Sequence, residues 1–287
     1  MAIGSGFRTF KNAAWLGWEM EANWTDPFLF AIYSVVKPLA GTLILVFMYL
    51  VITHGETQTM FFSFMYVGNA FYMFVADVLF GVTWIIHDDR EHYMTLKQVY
   101  IAPINFRNYI FGRASVTIAI SSFGVLLTLI FGVLVLGVDI NFAAVNWPLF
   151  IAALGLGLAT LAIMGLALGG VTFLTAKHAM GINEGVAGIF YVLSGVIFPI
   201  TILPGWAQSI SKFLPVTYWM EGVRRGLEPS VVAQLGPATG LEGFSDLQLM
   251  LVLVVTAIVF LFVSLGIFRY ADKVARRKGK IDWTTAY

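Results

Sequence analysis

Charge is what this sequence has least of: only 11% of its 287 residues are Asp, Glu, Lys or Arg, and 59% are apolar. A soluble domain carries about 25% charged residues, so the balance excludes an ordinary soluble globule and implies a membrane protein. Cysteine is absent, which removes disulfides, thiolate ligands and a cysteine nucleophile but says little about compartment. Neither sign of charge dominates, since 17 bases against 16 acids leave a net +1. No global basic field therefore advertises nucleic acid, and charge effects must be local. The phosphate-cradling pattern GxxxxGK[ST] occurs nowhere, and neither does HExxH. The four histidines, His54, His87, His92 and His178, stand near the ends of apolar runs without partners at motif spacing.

What is present is apolar length. A hydrocarbon core of about 30 Å needs about 20 apolar residues in helix, and six stretches qualify, roughly 28–53, 60–86, 108–136, 147–175, 186–203 and 248–268. They fill the chain, which predicts one all-α transmembrane domain over residues 1–287. The opening segment MAIGSGFRTFKNAAWLGWEMEANWTDP is interrupted by Arg8, Lys11, Glu19 and Glu21, so it is not expected to be a cleaved signal. Phe7, Phe10, Ala14 and Trp18 recur at helical steps, which predicts an interfacial elbow helix within residues 1–27. Lys and Arg cluster in the N-terminus, in 87–107, at Lys177 and in the C-terminal tail, while HGETQT and GVDINFAAVNW have neither; both termini are expected in the cytoplasm. Residues 204–247 carry Lys212, Arg224 and Arg225 on the outer side, but a long connection weighs less in that rule.

The most polar segment, HDDREHYMTLKQVYIAP, joins the second and third spans on the cytoplasmic side. From Asp88 to Ile101 no Pro or Gly intervenes, and Tyr93, Leu96, Val99 and Tyr100 form an apolar stripe beside a charged face. The expectation is a short amphipathic helix. Three readings compete: a metal or catalytic site from His87, Asp88, Glu91 and His92, a solvated positive loop, or a docking surface for a cytosolic partner. On the outer side, Pro199, Pro204 and Pro215 each predict a break, and Trp206, Ile210, Phe213 and Leu214 fall at helical steps between them. That stretch reads either as an interfacial loop or as short re-entrant helices over 204–247 forming an outer gate with Phe198.

Two ionisable residues fall inside spans. Lys37 and Asp77 each lie nine residues from the cytoplasmic end, at a common depth of about 13 Å, which reads either as an ion pair or as a snorkelling lysine with Asp77 hydrogen-bonded to a neighbouring helix. Phe62, Met65, Asn69 and Tyr72 share a helical face with Ala76, either lining a translocation path or packing. Ala153/Gly157 and Gly165/Gly169 repeat a small-xxx-small spacing, expected at close helix contacts.

The order DRE, TL and a proline seven residues later, followed by NFRNYIFGR, resembles the coupling helix of type-2 ABC exporter permeases. GVIFPITILPGWAQSISKFLPVTYWMEGVRRGL resembles that family's fifth span and outer re-entrant helices. The chain departs from the commoner pattern at Met94, where the family has glycine, and in carrying Glu91 one residue further from Thr95. The resemblance implies a permease in the plasma membrane that pairs with a second copy and binds two cytosolic ABC ATPase subunits, in a membrane of lipids and without nucleic acid. ATP and Mg would be held by that partner, and no cofactor or metal by this chain, which is then not itself an enzyme. It further implies docking through Asp89, Arg90, Glu91, Tyr93, Thr95, Leu96, Lys97 and Tyr100, and export of a hydrophobic drug, lipid or lipid-linked cargo. Rival classes are a secondary transporter, for which repeated halves and buried acids are missing, and an integral membrane enzyme, for which converging catalytic groups are missing.

Overall fold

A computed structural model describes residues 3–22, 26–56, 59–138, 140–175, 179–235 and 239–279, and all regular structure among them is helical. The helices are α1 (Ile3–Glu21), α2 (Pro27–Ile52), α3 (Met60–Phe74), α4 (Phe80–Glu91), α5 (Leu96–Ile101), α6 (Phe106–Val135), α7 (Trp147–Leu174), α8 (Ala179–Leu193), α9 (Gly205–Ser211), α10 (Pro215–Leu227), α11 (Pro229–Leu235) and α12 (Asp246–Arg277). A π-helical segment, Val75–Leu79, joins α3 to α4 so that the two run as one span.

Local chemistry sets the helix starts. The side chains of Asp26, Thr59, Asn105 and Asn146 accept from the first-turn amides of α2, α3, α6 and α7. Ser245 and Gln248 close a reciprocal capping box on α12, with Ser245 N donating to Gln248 Oε1 at 2.9 Å.

Among the described residues, five helices are long and apolar enough to cross a membrane: Phe28–Ile52, Met60–Glu91, Phe106–Val135, Trp147–Thr172 and Asp246–Arg277. The fifth expected span, 186–203, differs. Its helix is α8, which has 15 residues and ends at Leu193, a rise of about 22 Å. Ser194 and Gly195 then turn the chain, with Gly195 at φ +68°. The apolar run continues past the helix as a buried turn and a 3-10 turn, Ile200–Ile202. Hydropathy stays high through such a segment, so composition alone merges the helix with the turn.

The expected helix 88–101 is likewise two pieces. The second span carries helix through Glu91, five residues beyond its expected end, and α5 begins only at Leu96. Met94 between them adopts φ +53°.

At the centre lies α7, packed on α12, α10 and α4. Small residues permit the close approaches. A side chain at Gly157 would collide with the Trp219 indole of α10, and one at Gly165 with the Leu79 carbonyl. Trp219, Phe62, Phe64, Tyr66, Phe71 and Phe74 are fully buried around this axis. By contrast α2 shows its apolar residues outward: Val36, Phe47, Met48 and Val51 are all more than half exposed.

Candidate coupling end and intramembrane cavity

One end of the bundle gathers α1, α5, the start of α6 and the end of α12. There the second span delivers Asp89 and Arg90 into the interior, 0% and 2% exposed. Arg113 of α6 donates to Asp89 at 2.5 Å, and Tyr109, one turn earlier, donates to the other carboxylate oxygen at 2.9 Å. Arg90 donates to Glu91 at 2.9 Å and to the Thr172 carbonyl, at the end of α7, at 3.1 Å. A buried carboxylate with a charged and a neutral donor is satisfied where an isolated one would cost several kcal/mol or more. The charged face expected at 88–91 therefore points partly inward, as does Leu96, 1% exposed. Thr95 is half-buried, and its amide donates to the Asp89 carbonyl at 2.8 Å.

What α5 and its flanks present outward is Tyr93, Met94, Lys97, Ile101 and Ile104. Ile101, 75% exposed, is the most prominent apolar tip. An open groove of about 2080 Å³ separates this segment from α1.

Behind the tip, Tyr100 donates to Asp272 of α12 at 2.9 Å, and Arg276 both pairs with Asp272 and lies 4.7 Å over the Tyr100 ring. Burial, and then the adjoining Asp272 carboxylate, raise the Tyr100 hydroxyl above the usual phenol range. Phe106 stacks on Phe268 and Tyr109, closing the junction of α5, α6 and α12. Arg113, Tyr109, Asp272 and Arg276 were not singled out from the sequence. An arginine inside an apolar span, facing acids at the end of the preceding one, was the available signal. His87, Asp88, Glu91 and His92 do not converge: among the described residues no group of three or more His, Asp and Glu is placed to hold a metal.

The second feature is a cavity of about 520 Å³ between α1, α2, α3, α6 and α8. Lys37, Asn69, Tyr72 and Asp77 line it together with Glu21 and Tyr191. The π segment carries Asp77, whose carboxylate accepts from Ser121 at 2.8 Å. Asn69 donates to Thr42 at 3.1 Å and accepts from Tyr191 at 3.0 Å, while Tyr72 donates to the Ala187 carbonyl. The Tyr72 and Tyr191 rings lie 4.6 Å apart. Lys37 is exposed at the rim, and among the described residues no ion pair within 4.0 Å joins it to Asp77. Glu21 of α1 is raised above the usual carboxylate range by burial, against the lowering influence of Arg113. Phe62 and Met65 are elsewhere, inside the packed core.

At the opposite end, α10 runs back beside the first half of α7, with Trp219 against Gly157 and Gly226 against Phe150. Each outer proline starts an element: Pro199 precedes the 3-10 turn, Pro204 caps α9 and Pro215 opens α10. Phe198 is half-buried, and Trp206 and Phe213 are 68% and 79% exposed. Arg224 is the organising residue here, 2% exposed. It donates to the carbonyls of Gly195, Val196 and Phe64 at 2.7, 2.6 and 3.2 Å and lies 3.6 Å from the centre of the Phe64 ring. Burial lowers its guanidinium to about 10, against the raising influence of Glu221 and Glu228. Arg225 ties α10 to the start of α12 through Glu221, the Leu241 and Phe244 carbonyls and Asp246.

Long apolar helices around a buried, small-residue-lined axis define a multi-pass membrane protein. The model of the ABC-2 type transporter family matches residues 13–227, and the chain belongs to that family. A comparison with curated proteins returned no match.

Proposed function

We propose that this chain is the membrane-spanning permease subunit of an ATP-driven exporter, working as a pair of copies with two cytosolic ABC ATPase subunits in the plasma membrane. The observation that carries the reading is the α5 tip. A short helix with exposed Lys97 and Ile101, preceded by a turn with exposed Tyr93 and Met94, stands at the base-rich end of a chain whose family is ABC-2. Large, partly exposed apolar and aromatic groups beside a base are what an interface uses as anchors.

In this reading, closure of the ATPase on ATP pushes α5. The push reaches α12 through Tyr100, Asp272 and Arg276, and reaches α6 and α7 through Asp89–Arg113 and Arg90–Thr172. Asp89, Arg90 and Leu96 then position the tip, Tyr93 and Lys97 face the partner directly, and Glu91 and Thr95 stand half-buried at its edge. The α9–α10 segment, with Phe198, Pro199, Pro204, Trp206, Phe213 and Pro215, forms the outer gate. The cargo is a hydrophobic drug, lipid or lipid-linked molecule, because the path near Asn69 and Tyr72 is aromatic and largely apolar. The ATPase supplies ATP and Mg, and this chain supplies no hydrolytic group.

Co-purification tests the reading. A stoichiometric ATPase should accompany the tagged chain and be lost in Tyr93→Ala/Ile101→Lys, with the variant still eluting as a folded particle. Failure to recover any ATPase would favour the secondary-transporter alternative.

A further inference from the structure

We infer that the 520 Å³ cavity between α1, α2, α3, α6 and α8 is a binding site for a lipophilic organic cation. This rests on the permease reading and narrows its cargo.

Three independent observations converge on that chemistry. Two carboxylates, Glu21 and Asp77, line the cavity against one ammonium, Lys37. Fully ionised, these three carry a net charge of −1, so a monovalent cation neutralises the cavity and an anion doubles its imbalance. The aromatic pair Tyr72 and Tyr191 stands on the same wall, its rings 4.6 Å apart. Aromatic rings attract organic cations most when water is excluded. Met73, Pro38 and Phe30 add apolar surface for a hydrophobic body.

The backbone is also adapted here. The π turn at Val75–Leu79 interrupts the regular hydrogen bonding of the second span where Asp77 is presented. Such turns recur at functional sites. Among the described residues Asp77 is held by one hydroxyl, Ser121, rather than by a buried base, in contrast to Asp89 with its Arg113. Asn69 and the tyrosine hydroxyls spend their hydrogen bonds on one another, on Thr42 and on Ala187. That fixes the wall and leaves the Lys37 ammonium as the one charged donor lining the described cavity. Tyr33 of α2 lines the cavity and is also 65% exposed, so the entry inferred for a membrane-dissolved cation is from the lipid beside it.

Tetraphenylphosphonium and tetraphenylborate, near-identical in shape and opposite in charge, test this directly. The purified full chain in nanodiscs should bind radiolabelled tetraphenylphosphonium saturably, and tetraphenylborate should not compete. Asp77→Asn and Glu21→Gln should each weaken binding by about tenfold or more, while Lys37→Met should tighten it. Equal competition by tetraphenylborate, or unchanged affinity in both acid variants, overturns the inference. Should an acid variant fail to elute as a folded particle, the rim substitution Lys37→Met decides, and absence of tightening then overturns it. ATPase co-purification from the same preparation separates the two ideas. Cation binding without an ATPase sinks the permease reading, and an ATPase without cation binding sinks only the cation site.

Discussion

Arg224 shows how much one buried side chain can hold. Its guanidinium bridges the turn after α8 to α3 through three carbonyls and an aromatic face. Arg224→Met leaves those carbonyls without their donor, at about 1–3 kcal/mol each, and thermal unfolding in detergent should fall sharply. Arg224→Lys should recover little, because a single ammonium cannot reproduce the planar fork. Glu21 should behave in the opposite sense. Its pKa is raised in the folded chain, so its stabilising contribution is complete below the unfolded value of 4.5 and is lost as pH rises through the folded pKa. Glu21→Gln should therefore raise the unfolding temperature at neutral pH and flatten its dependence on pH above 4.5, even as it weakens cation binding. Met94 is the third case. Its φ of +53° falls where glycine is unstrained, the residue that the commoner family pattern carries there. Met94→Gly should stabilise the chain by up to about 1 kcal/mol, read as a small rise in the same unfolding curve. The departure from pattern was legible in the sequence; the strain it causes was not, because a dihedral belongs to the folded turn.

Among elements, α5 is the smallest and the most consequential. Six residues are too few to form a helix alone, and α5 is held by what it touches: Leu96 in the core, Tyr100 on α12, and Phe106 beyond it. Tyr100→Phe removes the hydrogen bond to Asp272 while leaving the ring stack. Hydrogen exchange should then speed up in the last turns of α12, roughly 268–277, with the middle of that helix unchanged. If exchange there stays as slow as in the parent, the link between α5 and α12 is not the one drawn here. The existence of a polar helical segment after the second span could be read from its stripe and terminal proline. Its division into the end of α4, a turn and α5 could not, since both pieces share helical periodicity. Similarly hidden is the end of α8, where the apolar run continues past Leu193 through the turn at Ser194 and Gly195 with no change in hydropathy to mark it.

For the whole molecule, the absence of cysteine makes single-cysteine chemistry clean. In the proposed orientation Glu56→Cys, in the exposed connection after α2, should react with a membrane-impermeant maleimide on intact cells. Gln98→Cys, exposed on α5, should react only after permeabilisation. Labelling of both from outside would reverse or refute the topology. Pairing of copies is tested on the second half of α2, where Ile44, Phe47, Met48 and Val51 are exposed: Phe47→Cys, at 60% exposure, should cross-link to a second copy. Composition by itself determined the medium and the class of architecture. Lipid demands that each spanning backbone satisfy its own hydrogen bonds, so apolar length translates directly into helices, and the capping residues mark where several of them begin. Tertiary structure decided which polar residues meet. Lys37 and Asp77 share a cavity without pairing, whereas Asp89 finds Arg113 and Tyr100 finds Asp272, 172 residues away. Those meetings depend on the rotation and depth of neighbouring helices, which packing fixes and hydropathy does not record.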